Sequence, residues 1–261
     1  MFVKAVVVAV SFGALTFGCS TEQPRDGAAE RQEIVDNLVQ AGYPSADIMV
    51  VDGKVYVGLD AEVNLQASRE MLQVDDSAGG EEQYRTTNLV SSSVRTICVN
   101  GSAFTGVFST ALNNAITNYN NQNLSFRMQR TTGSTSGCNA VITGKISGPT
   151  GGSSGFPSGG LPFNTINIGS GLSTFAVGTV THVITHELGH CIGFRHSDFF
   201  NRSISCGGAA TNEGTAGVGA TLIPGTPSGA TVGGSIMNAC FRTTETGKFT
   251  SSDITALQFL Y

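Results

Sequence analysis

The chain has 261 residues, 34 of them glycine, and only 13% are charged, which speaks for one loop-rich domain plus an extra segment and against a helical bundle. The net charge of −5 hides a split: residues 20–90 carry 14 acidic and 5 basic side chains, whereas residues 91–261 carry 5 acidic and 8 basic. The split predicts an acidic N-terminal segment lying against a mildly basic C-terminal domain, and the lack of any basic run or interleaved aromatic patch excludes nucleic acid as a partner.

Residues 1–18 read as an export signal. Lys4 supplies the positive start, and the apolar run over residues 5–17 is too short to cross a bilayer. The run ends in Leu15-Thr16-Phe17-Gly18-Cys19, which resembles a bacterial lipobox, although Phe17 is bulkier than that position usually carries. The expectation is an exported bacterial protein cut before Cys19 and held at a membrane by a lipid on that thiol; simple secretion is the alternative. Setting Cys19 aside, Cys98, Cys138, Cys191, Cys206 and Cys240 allow at most two disulfides and leave one thiol over. Their pairing stays open.

Residues 20–30 are polar and read as a tether. Ile34, Leu38, Val39 and Gly42 then predict a short helix that stops at the glycine. Asp52-Gly53 between two apolar runs, 48–51 and 54–57, predicts a hairpin. A second short helix is expected over 61–73, followed by an acidic, glycine-containing linker over 75–83 open to proteolysis. A unit of this size is marginal alone. We read residues 19–90 as tether and pro-segment, with an accessory subdomain that is never removed as the alternative.

The pattern changes at residue 91. Strands are expected over 95–99, 124–128, 140–143 and 163–168, and residues 148–162 form an exposed loop rich in Gly, Pro and Ser. Phe104, Val107, Phe108, Ala111, Leu112, Ala115, Ile116 and Tyr119 recur at helical spacing and predict a core helix. A further helix spans 175–192, capped by Ser173 or Thr174. It carries His186-Glu187-Leu188-Gly189-His190-Cys191-Ile192-Gly193-Phe194-Arg195-His196, and all four histidines of the chain fall at its end. Positions i and i+4 share a helix face, so His186 and His190 can meet one metal ion, with Glu187 beside it to take a proton from water. Gly193 can adopt a left-handed turn that returns His196 as a third ligand. His182 lies about 5–6 Å further along the axis, too far to join them.

H-E-x-x-H-x-x-G-x-x-H followed by Ser235-Ile236-Met237-Asn238-Ala239-Cys240 resembles the metzincin zinc endopeptidases, and within them the bacterial dual-action HEIGH metallopeptidases. The resemblance implies an α+β fold with a twisted mixed sheet, a core helix and an active-site helix, then a loop-rich C-terminal subdomain with a Met-turn and a closing helix. It implies a catalytic domain over 91–261 that hydrolyses protein or peptide substrates with one zinc ion on His186, His190 and His196 and with Glu187 as general base. In that family an aspartate or cysteine of the pro-segment often blocks the metal. No cysteine lies between residues 20 and 90, so Asp60 is the candidate, a plain strand-end residue being the alternative. The resemblance also makes 163–168 an edge strand for extended substrate, and His182 a wall of the pocket beyond the scissile bond. It makes Asp198 an outer hydrogen-bonding group, and Asp253 either an acceptor for a new N-terminal amine or a first-turn acid. The tyrosine that astacins carry just after the methionine is missing, its place taken by Asn238, Ala239, Cys240 and Phe241.

Two rivals remain open at this stage. Glu213 is the one glutamate at a suitable separation to replace His196 in a thermolysin-like site, but Thr211-Asn212-Glu213-Gly214 reads as a loop. A surface-anchored binding protein with a vestigial or structural metal site is the other, and it needs a fourth protein ligand that the motif does not supply. Five carboxylates after residue 90 are too few for a cluster-rich calcium site, although backbone carbonyls could still form one.

Overall fold

The computed structural model describes residues 27–73, 83–214, 220–227 and 229–261. The export signal, Cys19 and most of the expected linker lie outside the described residues. The fold is α+β, built on an eight-stranded mixed sheet.

Residues 27–73 supply helix α1 (Gly27–Gln40), strands β1 (Met49–Val51), β2 (Lys54–Val57) and β3 (Ala61–Glu62), and helix α2 (Leu65–Glu70). Asp52 and Gly53 both have positive φ, 50° and 78°, as a two-residue hairpin between β1 and β2 requires. The expected helix over 61–73 forms only from Leu65, where the Asn64 side chain accepts from Ala67 N, because residues 61–62 extend the sheet. Ile34, Leu38, Val55, Val57, Ala67 and Met71 close a small core whose one contributor from the rest of the chain is Phe156.

The larger core belongs to the second part. That part contains strands β4 (Tyr84–Arg85) and β5 (Thr96–Asn100), helix α3 (Gly106–Asn120), strands β6 (Arg127–Thr131), β7 (Ala140–Ile146), β8 (Gly152–Gly155) and β9 (Thr165–Ile168), and then helix α4 (Val177–Cys191). The sheet runs β1-β2-β3-β8-β9-β7-β5-β6; β6, β5, β7 and β9 are parallel, β8 is antiparallel to β9, and β3 joins β8 in parallel. The apolar stripe of α3 buries Phe108, Ala111, Leu112, Ala115, Ile116 and Tyr119, and α3 packs directly on α4. Beyond α4 lie α5 (Ser203–Cys206), β10 (Thr221–Leu222), which pairs with β4, and the closing helix α6 (Ser251–Leu260).

Two expectations need correction. The strand over 163–168 is not an edge, because β8, inside the segment read as an exposed loop, covers β9. Glycine makes that approach feasible: a Cβ on Gly152 would overlap the Glu187 carboxylate, and one on Gly155 would overlap Glu62 O. The cap of α4 is Ala176 with no side-chain hydrogen bond, since Ser170–Thr174 forms a 3-10 turn of its own. The disulfides are Cys98–Cys138 and Cys206–Cys240, with Cys191 buried as a free thiol.

Candidate metal centre

Helix α4 is buried along most of its length, so its histidines are largely shielded from solvent. The turn after it is set by Gly193, whose φ of 108° suits glycine alone and whose missing Cβ would lie 2.7 Å from Asn88 O. Gly193 N donates to His190 O and Arg195 N to Tyr84 O, which reverses the chain and brings His196 back over α4.

The three Nε2 atoms of His186, His190 and His196 then lie 3.0–3.3 Å apart. What lies at the other nitrogens fixes the protons. His186 Nδ1 faces Ile236 O at 2.8 Å, His190 Nδ1 faces Phe194 O at 2.7 Å, and His196 Nδ1 faces Glu213 Oε1 at 2.7 Å. A carbonyl or carboxylate oxygen accepts only, so each ring in its neutral form keeps its proton on Nδ1 and turns a lone pair towards the other two. Three lone pairs converging on one point repel unless a cation sits there.

Asp60 completes the cluster. Its Oδ2 lies 3.5 Å from His186 Nε2 and 3.3 Å from His196 Nε2, and its Oδ1 lies 3.4 Å from His190 Nε2. Oδ1 is buried without a hydrogen-bond partner, as expected of an oxygen facing a lone pair rather than an N–H. The ligand atoms of Asp60, His186, His190 and His196 all fall within 4.8 Å of one another. Gly58 and Leu59, with φ of 64° and 83°, turn the chain so that Asp60 points inward. For leucine that conformation costs about 1–2 kcal/mol.

Burial would raise the Asp60 carboxyl; when the rings are protonated, charge on His196 and His190 and hydrogen bonds from His186 and His190 outweigh it and draw it well below the usual range. Burial holds His190 neutral, with its pKa lowered to about 4. Burial would lower His196, but Glu213 and Asp60 outweigh it and raise its pKa well above the usual imidazole value, so a metal must displace a proton there. Three imidazoles and a carboxylate suit a divalent cation such as zinc.

Glu187 projects beside the cluster. Its Oε2 accepts from the Ser154 hydroxyl at 2.7 Å, and burial together with the Asp60 carboxylate raises its pKa well above the usual value. A cavity of about 320 Å³ opens next to it, walled by His182, Val183, Glu187, Asn238, Ala239 and Phe241. His182 is 2% exposed, and neither ring nitrogen has a hydrogen-bond partner among the described residues. Burial first, then His186 and Arg242, lower its pKa to about 3.

Met237 lies under the site, so close that a Cβ on Gly189 would sit 2.6 Å from its sulfur. The turn around it is tied down on both sides. Asp198 accepts from Ala239 N at 2.9 Å and from the Ser205 hydroxyl at 2.5 Å, and Ser197 N donates to Met237 O at 2.8 Å. Asp253 accepts from Ile236 N, the Ser235 hydroxyl, Gln83 Nε2 and Thr250 N, closing a capping box on α6. In this uncut chain Asp253 is a first-turn acid that clamps the turn.

Glu213 is not in the cluster. It sits behind His196 on the Nδ1 side, paired with Arg195 Nη2 at 3.0 Å, which removes the thermolysin-like arrangement. The sequence reading missed Ser154 as the partner of Glu187 and missed the ion pairs around Glu213. Nothing in Gly152-Ser153-Ser154-Gly155 signals a strand, and no local motif marks the loop that carries Glu213.

Residues 55–261 match the family model described as dual-action HEIGH metallo-peptidase. No curated protein matches the chain. Among solved structures, the chain is similar to high choriolytic enzyme 1, a hatching enzyme zinc-protease from the medaka fish Oryzias latipes, at 16% identity and a TM-score of 0.39, covering 67% of this chain and 98% of that one. A structure of myroilysin is similar at 16% identity and a TM-score of 0.39, covering 70% of this chain and 96% of that one.

Proposed function

The chain belongs to the dual-action HEIGH metallopeptidase family, and from that premise we propose that it is a zinc endopeptidase whose described form is latent, with Asp60 of an N-terminal pro-segment in the fourth ligand position. The observation that carries the reading is the convergence of three Nε2 lone pairs fixed by acceptors at every Nδ1. Zinc, when bound by His186, His190 and His196, supplies a Lewis acid that activates water and polarises a carbonyl. Glu187 takes the proton of the attacking water and passes it to the leaving amine. Ser154 holds the Glu187 carboxylate in place for that transfer. Strand β3 occupies the free side of β8, so the same segment that brings Asp60 also covers the edge an extended peptide would use.

Asp60 equally favours a second reading, a closed structural site of three histidines and one aspartate in a surface-anchored binding protein. Against it stands Glu187, a carboxylate with a raised pKa that faces the cavity and ligates nothing. Export, lipid attachment at Cys19 and removal of the pro-segment by a cut ahead of β4, which packs with the second part, complete the proposal; incorporation of labelled palmitate that is lost in Cys19→Ala tests the anchor.

Metal content and casein cleavage test the catalytic reading together. Asp60→Ala should keep zinc and gain activity that a chelator removes and zinc restores. Adding Glu187→Ala should keep the zinc and lower turnover at least about 100-fold. A zinc-loaded Asp60→Ala chain that cleaves nothing would decide for the structural site.

A further inference from the structure

The Glu213 carboxylate links the metal centre to the N-terminal segment by a path that does not pass through Asp60. It is 1% exposed. Its Oε1 accepts from His196 Nδ1 at 2.7 Å and lies 3.4 Å from Arg202 Nη1, while its Oε2 accepts from Arg195 Nη2 at 3.0 Å. Both arginines are gripped by residues 42–58. Arg202 Nη1 donates to Asp47 Oδ1 at 2.6 Å, and the Arg195 guanidinium stacks over the Tyr43 ring at 4.8 Å. Asp47 also accepts from Gly58 N at 3.0 Å, and Gly58 lies so close that a Cβ there would be 3.0 Å from Glu213 Oε2.

We propose that Glu213 is the positioning residue of His196, and that docking of the N-terminal segment on Arg202 and Arg195 governs how firmly it holds that ring. The inference rests on His196 being a metal ligand. Arg202 is shared between two carboxylates, and Asp47 is the nearer by 0.8 Å (3.4 against 2.6 Å). With Asp47 gone, the closest carboxylate oxygen to that guanidinium is Glu213 Oε1, the atom that orients His196. A bidentate-capable cation drawn onto that oxygen competes with the imidazole N–H. Segment docking therefore favours metal binding and, by reciprocity, metal binding favours docking.

The test uses the full chain carrying Asp60→Ala, so that loss of a direct ligand contributes nothing. Zinc affinity is measured by competition with a chelator, and ligand geometry by the visible absorption of the cobalt-substituted protein. Glu213→Gln should weaken zinc about 10–100-fold, as partners behind a ligating histidine usually do. Asp47→Asn should weaken it about five-fold or more and displace the cobalt bands, but should change affinity less than about two-fold once Glu213→Gln is present. If Asp47→Asn does not yield folded protein, Arg202→Gln takes the competing cation away and should change zinc affinity less than about two-fold; a loss of about five-fold or more would overturn the proposal. Equal losses from Asp47→Asn with and without Glu213, or no loss at all, would overturn the proposal. Failure of the unsubstituted chain to bind zinc would instead overturn the assignment of the three histidines.

Discussion

His182 is the residue whose surroundings fit it least. Two buried ring nitrogens without a hydrogen-bond partner among the described residues, the nearest carboxylate oxygen being Glu245 Oε2 at 3.7 Å from Nδ1, cost about 1–3 kcal/mol relative to an apolar side chain of similar shape. Its pKa of about 3, against about 6.5 for a free imidazole, fixes the sign of its effect on stability. Between those values the unfolded chain binds a proton that the folded chain refuses, so stability is retained above pH 6.5 and falls as the pH drops towards 3. His182→Leu should raise the melting temperature at neutral pH and flatten the loss between pH 6.5 and 3 by up to about 1 kcal/mol per pH unit. Denaturant titrations across that range decide it; an unchanged acid slope would show that the ring finds a partner in solution. The same residue marks the limit of sequence reasoning at this scale. Its place one turn before His186 follows from helical spacing, but its lack of partners depends on Arg242, Glu245 and the 238–241 turn, far away along the chain. His186, His190 and His196 were legible because one helix and one glycine bring them together. Glu213 behind His196 was not, because the groups that hold it come from Arg195 and Arg202, and through Arg202 from Asp47.

Strand β8 is the element on which the catalytic geometry turns. It carries Ser154 against Glu187 and lies so near α4 that Gly152 has no room for a side chain. Gly152→Ala, made with Asp60→Ala so that activity can be read, should keep zinc and lower kcat at least ten-fold, because the new methyl and the Glu187 carboxylate cannot both keep their places. Parallel zinc and casein assays check it, and unchanged kcat would mean that β8 yields without moving Glu187. Helix α3 and the hairpin at Asp52-Gly53 were legible because period and turn chemistry agree with the fold. Strand β8 was hidden because Gly-Ser-Ser-Gly has neither alternation nor β-branched residues, and close approach rather than propensity makes it a strand. Strand β3 was hidden likewise, as two residues ahead of a helix that starts later than its apolar pattern suggests.

At the scale of the molecule, two cores of unequal size meet across β3 and β8, and both disulfides join residues of the part that holds the larger one. The charge split along the sequence suggested a broad electrostatic interface, yet among the described residues Lys54–Glu62 and Arg69–Glu33 pair within the smaller part, while Arg202–Asp47 crosses between the two. The metal centre is thus the strongest candidate tie between the two, since three of its ligand groups come from one part and Asp60 from the other. A ligand that binds only the assembled state stabilises it by an amount that grows with its concentration over its dissociation constant. Zinc should therefore act as a removable cross-link. On adding a chelator to the full chain, amide exchange in α1, α2 and β1–β3 should accelerate at least ten-fold, while α3, β5 and β7 change much less, because the smaller core alone is marginal. Asp60→Ala with zinc present should reproduce the faster exchange of the smaller part and leave α4 protected, since its three histidines still hold the ion. Hydrogen exchange followed by mass spectrometry distinguishes the cases: uniform acceleration across both cores would mean that the metal stabilises the whole fold through α4 alone and that Asp60 ties nothing together.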